Sequence, residues 1–264
     1  MSGEYQMHGT PSPATASIRA VENARDIPAD MAERLIVALD VPSPDDAKEL
    51  IKKLDGIVSF YKIGLWLLFA EGTDKLIDDL IRSGKNVFLD YKMFDIGETV
   101  RKGVTCAKDR GIKFVTVHGD DEIMEAAVKG KDGSDFLKIF TITVLTSMDD
   151  SDLREMGYRL TVKELIELRV RKSIQCGCDG IIASAADKPN EIRQLVANQG
   201  LLIATPGIRP DGSQTDDHKR SANPTQAIID GADYLVVGRP IIENPDPASM
   251  ARVIIEQMKL GMIG

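Results

Sequence analysis

The chain has 264 residues, a length that allows one large domain or two small ones. Hydrophobic residues make up 43% and charged residues 28%, as in ordinary globular enzymes. The formal net charge of −8 excludes the basic stripe of a non-specific nucleic-acid binder, and it leaves any anionic ligand dependent on a local cationic site.

Residues 1–32 are rich in Ser, Pro, Ala and Thr without an apolar period, and are expected to form a poorly ordered N-terminal extension. They lack the apolar core of a secretory signal. From residue 33 to 264 a single domain is expected, because short β-rich runs alternate with amphipathic helical patterns. The strand candidates are Arg34–Asp40, Ser59–Gly64, Asn86–Asp90, Phe114–His118, Leu137–Leu145, Gly180–Ala183, Leu201–Thr205 and Tyr234–Gly238. Helical patterns fall at about 44–54, 66–82, 96–110, 120–129, 161–176, 187–198, 223–230 and 247–260. Ser43-Pro44-Asp45-Asp46 marks the start of the first. Eight strand–helix units predict a (β/α)8 TIM barrel. An open doubly wound sheet is the alternative, but the turn after the first strand, Asp40-Val-Pro-Ser43, lacks a dinucleotide GxGxxG.

No apolar run approaches the roughly 20 residues of a membrane span. Cys106, Cys176 and Cys178 are odd in number and form no CxxC, so buried thiols in a reducing cytoplasm are expected, with no disulfide framework and no zinc site. Trp66 and the apolar residues around it (Leu65, Leu67, Leu68, Phe69) are expected in the core.

In such a barrel the C-terminal strand ends converge on one mouth. There the sequence delivers Asp40, Lys62, Asp90, Lys92 with Asp95 just beyond, His118, Thr146-Ser147, the run Thr205-Pro206-Gly207-Ile208-Arg209, and Gly238-Arg239. A side-chain period of two puts Asp90 and Lys92 on one face. Lys62, Asp90, Lys92 and Asp95 alternate in sign. Such a set either forms a salt-bridge cluster at the rim or keeps a protonated lysine ready to donate to a carbanion. Arg209 and Arg239 sit in the seventh and eighth loops, where such barrels often hold phosphate. Thr146 and Ser147 suit the edge of a heteroaromatic ring. His118 reads as a packed, hydrogen-bonded histidine, and His218 lies in a charged run, Asp216–Arg220.

The segment Phe88–Thr99 fits a D-x-K-x-x-D-I-[G/P]-x-T signature, with Leu39-Asp40, Tyr61–Gly64, Thr143–Ser147, Thr205–Arg209 and Val237–Arg239 in order around it. With these residues the chain resembles the orotidine 5'-phosphate decarboxylase family over about residues 34–260. The resemblance implies a cofactor-free and metal-free homodimeric TIM barrel that converts orotidine 5'-monophosphate to UMP in the cytoplasm. By that resemblance Lys92 would protonate C6, Asp90 would face the departing carboxylate, and Lys62 would orient Asp90 and touch the ribose. Asp40 would bind a ribose hydroxyl and Thr146 the base. Pro206, Arg209, Gly238 and Arg239 would line or hold the phosphate end. Asp95 and Thr99 would enter the active site of the other subunit.

Two positions depart from the family pattern: His218 replaces the usual Gln, and Gly97-Glu98 replaces the usual Pro-Asn. Magnesium-dependent 3-keto-L-gulonate 6-phosphate decarboxylases and hexulose phosphate synthases share the D-x-K-x-x-D strand. They resemble one another in an acidic metal ligand on the second strand, where this chain has Lys62, and a cation there opposes metal binding. A catalytically inactive phosphate-binding barrel is the non-enzyme alternative.

Overall fold

The computed structural model describes residues 25–210 and 222–262. Its eight parallel strands are β1 (Leu35–Ala38), β2 (Phe60–Gly64), β3 (Asn86–Met93), β4 (Phe114–Val117), β5 (Lys138–Ile142), β6 (Gly180–Ile182), β7 (Leu202–Thr205) and β8 (Tyr234–Val237). They pair in sequence order, and β8 closes onto β1 through Leu35↔Leu235 to Val37↔Val237. The (β/α)8 barrel expected from the rhythm of the sequence is the observed fold.

The helices are α1 (Met31–Arg34), α2 (Pro44–Lys53), α3 (Leu65–Leu68), α4 (Thr73–Arg82), α5 (Gly97–Arg110), α6 (Asp121–Lys131), α7 (Asp150–Glu155), α8 (Val162–Cys176), α9 (Pro189–Leu195), α10 (Pro224–Ile229), α11 (Arg239–Ile242) and α12 (Pro247–Gly261). Their ends follow local chemistry. Ser43 caps α2, accepting from the Asp46 amide, with Pro44 in the first turn. Thr161 and Glu164 form a reciprocal box at the start of α8. α7 was not expected, although Asp149 and Asp152 form the same kind of box at its start. Among the described residues no helix is long and apolar enough to cross a membrane.

Strand alternation separates two apolar regions. Outward residues such as Val37, Ile63, Val115 and Val117 pack against the helices. Inward residues Ile36, Phe60, Phe88, Phe114, Phe140, Leu202 and Tyr234 fill the barrel. Phe114 is the centre of this inner layer, with ring centroids 4.9 Å from Phe60, 4.5 Å from Phe140 and 5.0 Å from Tyr234. Edge-to-face and tilted packing of this kind fills the lower barrel with side chains.

The lower end is pinned by charge. Asp233, fully buried just before β8, faces Arg25 at 2.7 Å and Arg193 of α9, and accepts from the Ile203 amide at 2.7 Å. Arg34 bonds the carbonyls of Ala232 and Asp233. Of the expected extension, residues 1–24 lie outside the described residues. Arg25 and Asp26 are ion-paired to Asp233 and Lys138, and Ile27 packs on the aromatic layer.

Two expectations about burial are corrected. The helix expected over 66–82 is two, broken at Gly72 (φ 89°), and the short α3 buries only one residue. Leu67 alone of its apolar stripe is buried; Trp66 is 58% and Phe69 85% exposed. Cys106 is also exposed, because it falls on the outer face of α5, whereas Cys176 and Cys178 are half-buried.

Candidate active site

Two residues above the filled layer, the inward side chains change character. Phe60 is followed by Lys62, Phe88 by Asp90, Phe114 by Thr116, and Phe140 by Ile142. The period of two therefore stacks a mixed polar layer directly on an aromatic floor. Above it opens a cavity of about 320 Å³, with Phe88 lining its base.

Charge gathers on the β1–β3 side of this cavity. Lys62 Nζ lies 2.7 Å from Asp40 Oδ1, with the lysine side chain only 9% exposed. Gly64 makes room for this pair, since a Cβ there would come within 3.0 Å of Lys62 Nζ and 3.3 Å of Asp40 Oδ1. Lys92 Nζ lies 2.9 Å from Asp90 Oδ2. The four groups are thus two ion pairs at a rim, each half-screened from water.

Asp90 and Lys92 share the cavity, but not by simple alternation. The β3–β4 register steps from Leu89↔Val115 to Met93↔Val117, so Asp90, Tyr91 and Lys92 together face Thr116. Lys92 takes a left-handed backbone, φ 48°, which is uncommon for a residue with a Cβ. Its amide donates to Thr116 Oγ1 at 2.9 Å, and that hydroxyl donates to Asp90 Oδ1 at 2.9 Å.

The rest of the rim carries the other expected residues. Thr146 and Ser147 follow β5, and Pro206, Gly207 and Arg209 follow β7. Gly207 has φ 77°, a turn that lets the chain double back toward the cavity. Gly238 and Arg239 complete the rim after β8. Arg209 thus follows a strand across the barrel from β3, whereas Arg239 follows β8, beside β1, with Gly238 next to Asp40.

Two expected residues lie away from this cavity. Asp95 is exposed beyond β3, with Oδ1 accepting from the Ile96 amide at 2.7 Å, and Thr99 is exposed in the first turn of α5. Neither lines the cavity of this chain. His218 lies outside the described residues. His118 is hydrogen-bonded, Nδ1 to Asp120 at 2.9 Å, and its ring packs on Phe94 with centroids 4.6 Å apart.

The apolar lining from Ala38, Ile142, Val144, Ile182 and Val236 was not singled out from sequence. Its signal was available for Ala38, Ile142, Ile182 and Val236, each two positions beyond an inward residue of the filled layer. This wall sets apolar surface beside the charged groups, which lowers the local dielectric and strengthens their mutual interactions.

The family model described as "Orotidine 5'-phosphate decarboxylase / HUMPS family" matches residues 33–254. The chain belongs to this family. It is 47% identical to an orotidine 5'-phosphate decarboxylase of Nitrobacter winogradskyi over 86% of this chain and 92% of that one. It is 45% identical to one of Caulobacter vibrioides, over 85% and 97% respectively. A crystal structure of the Lactobacillus acidophilus orotidine 5'-phosphate decarboxylase superposes with TM-score 0.75 at 31% identity, covering 86% of this chain and 99% of that chain.

In the decarboxylase signature, the departure at Glu98 now has a local explanation. Its carboxylate takes two bonds of 2.8 Å from Arg101 and lies 3.4 Å from Lys102, one turn along α5. The Arg101 guanidinium, helped by Lys102, holds the Glu98 carboxyl down to about 2. An acid in the first turn also complements the helix dipole. Glu98 is thus a surface helix residue of this family member.

Proposed function

We propose that this barrel decarboxylates orotidine 5'-monophosphate to UMP, with Lys92 as the proton donor. One observation supports it most: Lys92 and Asp90 form a 2.9 Å pair at one wall of a cavity whose rim also carries Arg209 and Arg239. A phosphorylated nucleotide spans such a mouth with its anionic end on the arginines and its base over the lysine.

The chemistry follows from charge. The bond from C6 to the carboxylate breaks, CO2 leaves as a neutral molecule, and the electron pair stays on C6. The Lys92 ammonium gives its proton to that carbon, leaving an amine that regains a proton from solvent. Asp90 repels the bound carboxylate, and this repulsion vanishes as CO2 forms, so it favours the transition state over the ground state. Asp90 also holds the Lys92 ammonium where the carbanion appears. Lys62 and Asp40 are assigned to ribose hydroxyls, Thr146 and Ser147 to the base, and Pro206, Arg209, Gly238 and Arg239 to the phosphate end. His218 is assigned to the nucleotide as the replacement for the family's Gln. Lys62 occupies the strand position at which the magnesium-dependent relatives of the resemblance carry an acid, which supports metal-free chemistry.

The measurement is the fall in orotidine 5'-monophosphate absorbance with excess chelator present. Undiminished turnover is expected. Turnover that appears only on adding Mg2+ overturns the metal-free mechanism.

We further infer a homodimer in which Asp95 and Thr99 complete the cavity of the partner. The support is local: exposed Phe94 and Ile96 flank Asp95, and the exposed Trp66 and Phe69 follow the neighbouring strand. Apolar groups of this size in adjacent loops suit a buried interface. Asp95→Asn and Lys92→Ala chains, each nearly inactive, should recover activity when mixed under subunit exchange, because each mixed dimer holds one intact site. No recovery in verified mixed dimers sinks the shared site. On the same reading, residues 33–264 form one catalytic domain and the enzyme works in the cytoplasm.

A further inference from the structure

Thr116 has no role in the scheme above, yet it is the only β4 residue facing a three-residue stretch of β3. It is fully buried. Its hydroxyl accepts from the Lys92 amide and donates to Asp90 Oδ1, each at 2.9 Å. One oxygen therefore touches both members of the charged pair, on its backbone side for Lys92 and on its carboxylate for Asp90.

We propose that Thr116 is a positioning residue that sets the Lys92–Asp90 geometry. The proposal rests on the decarboxylase reading and deepens it. In the irregular stretch between Leu89 and Met93, the Lys92 amide is bonded to a side chain instead of a ladder carbonyl. Thr116 is fully buried, so the bond it makes there is costly to lose. The left-handed backbone of Lys92 is unfavourable by itself and persists only where its surroundings hold it. The same hydroxyl proton fixes Asp90 Oδ1, which leaves Oδ2 toward Lys92 Nζ at 2.9 Å. A hydroxyl suits this position because it both accepts and donates. A methyl group in its place does neither.

The test compares Thr116→Val, which keeps the shape and removes the hydroxyl, with Thr116→Ser, which keeps the hydroxyl. Thr116→Ala serves as a second hydroxyl-free variant if Val fails to fold. With wild-type turnover of orotidine 5'-monophosphate measured first, Val or Ala should lower kcat by about 10–100-fold with KM changed less than about threefold, as expected when near-attack geometry is lost. Ser should stay within about threefold of wild type in kcat. A Val or Ala variant with wild-type kcat, or a Ser variant as impaired as Val, overturns the proposal. So does a fall confined to KM. If the wild type itself is inactive on this nucleotide, the decarboxylase reading fails instead. Crystal structures of wild type and Thr116→Ala then decide the positioning claim: Lys92 should leave φ near 48° or its Nζ should part from Asp90, and an unchanged pair refutes it.

Discussion

Lys92→Ala is expected to lower kcat for decarboxylation by roughly 10²–10⁴-fold, the range associated with loss of a general acid. The reason is positional. The side chain is 37% exposed and its Nζ is paired at 2.9 Å, so it reaches the cavity beside Asp90. Water that replaces it is neither fixed nor cationic. Loss of the lysine also leaves Asp90 without its counter-ion, and that carboxylate then repels the bound substrate with nothing to offset it. A companion variant separates chemistry from folding. The backbone at Lys92 has φ 48°, and a side chain with a Cβ costs about 1–2 kcal/mol there. Lys92→Gly should therefore be as inactive as Lys92→Ala but melt at a higher temperature. Activity within tenfold of wild type in either variant means that another group delivers the proton. A Gly variant less stable than the Ala one means that the left-handed backbone is not strained.

Asp233→Asn should be the largest stability effect, and it lies at the other end of the barrel. The carboxylate is fully buried between Arg25 and Arg193, and it accepts from the Ile203 amide. Burial pushes the Arg193 guanidinium toward losing its proton, and the Asp233 charge opposes that push. Removing the charge leaves two guanidinium groups facing a neutral amide, a loss expected at about 3–5 kcal/mol. For a chain of this size that corresponds to a melting temperature lower by roughly 6–20 °C. KM for the nucleotide should hardly move, because the mouth is formed by the opposite strand ends. A thermal melt and a substrate titration on the same preparation check both halves. A melting temperature within about 2 °C of wild type would mean that the arginines find other partners.

The barrel was legible because each strand is a short apolar run bounded by turn residues, and eight recur in alternation with helical patterns. The charged mouth was legible because strand ends converge. What escaped depended on contacts between distant residues. Period two puts Asp90 and Lys92 together, but it assumes an unbroken ladder, and nothing in Asp90-Tyr91-Lys92 announces a left-handed residue where glycine is absent. Asp40 was expected at the end of its strand but lies two residues beyond it, and its 2.7 Å pair with Lys62 is tertiary, which no local pattern announces. Asp233 drew no attention because it precedes a strand, at the end where chemistry is not expected. Trp66 and Phe69 misled for a different reason. Hydrophobicity signals a wish for burial without saying whether the cover comes from the same chain.

The layer of rings around Phe114 has a further consequence, one of traffic. With its lower end stoppered, the barrel is a cul-de-sac, and whatever enters must back out along the same route. Exchange of product for substrate is then sequential, one occupant clearing the doorway before the next arrives. Turnover can run no faster than that doorway empties.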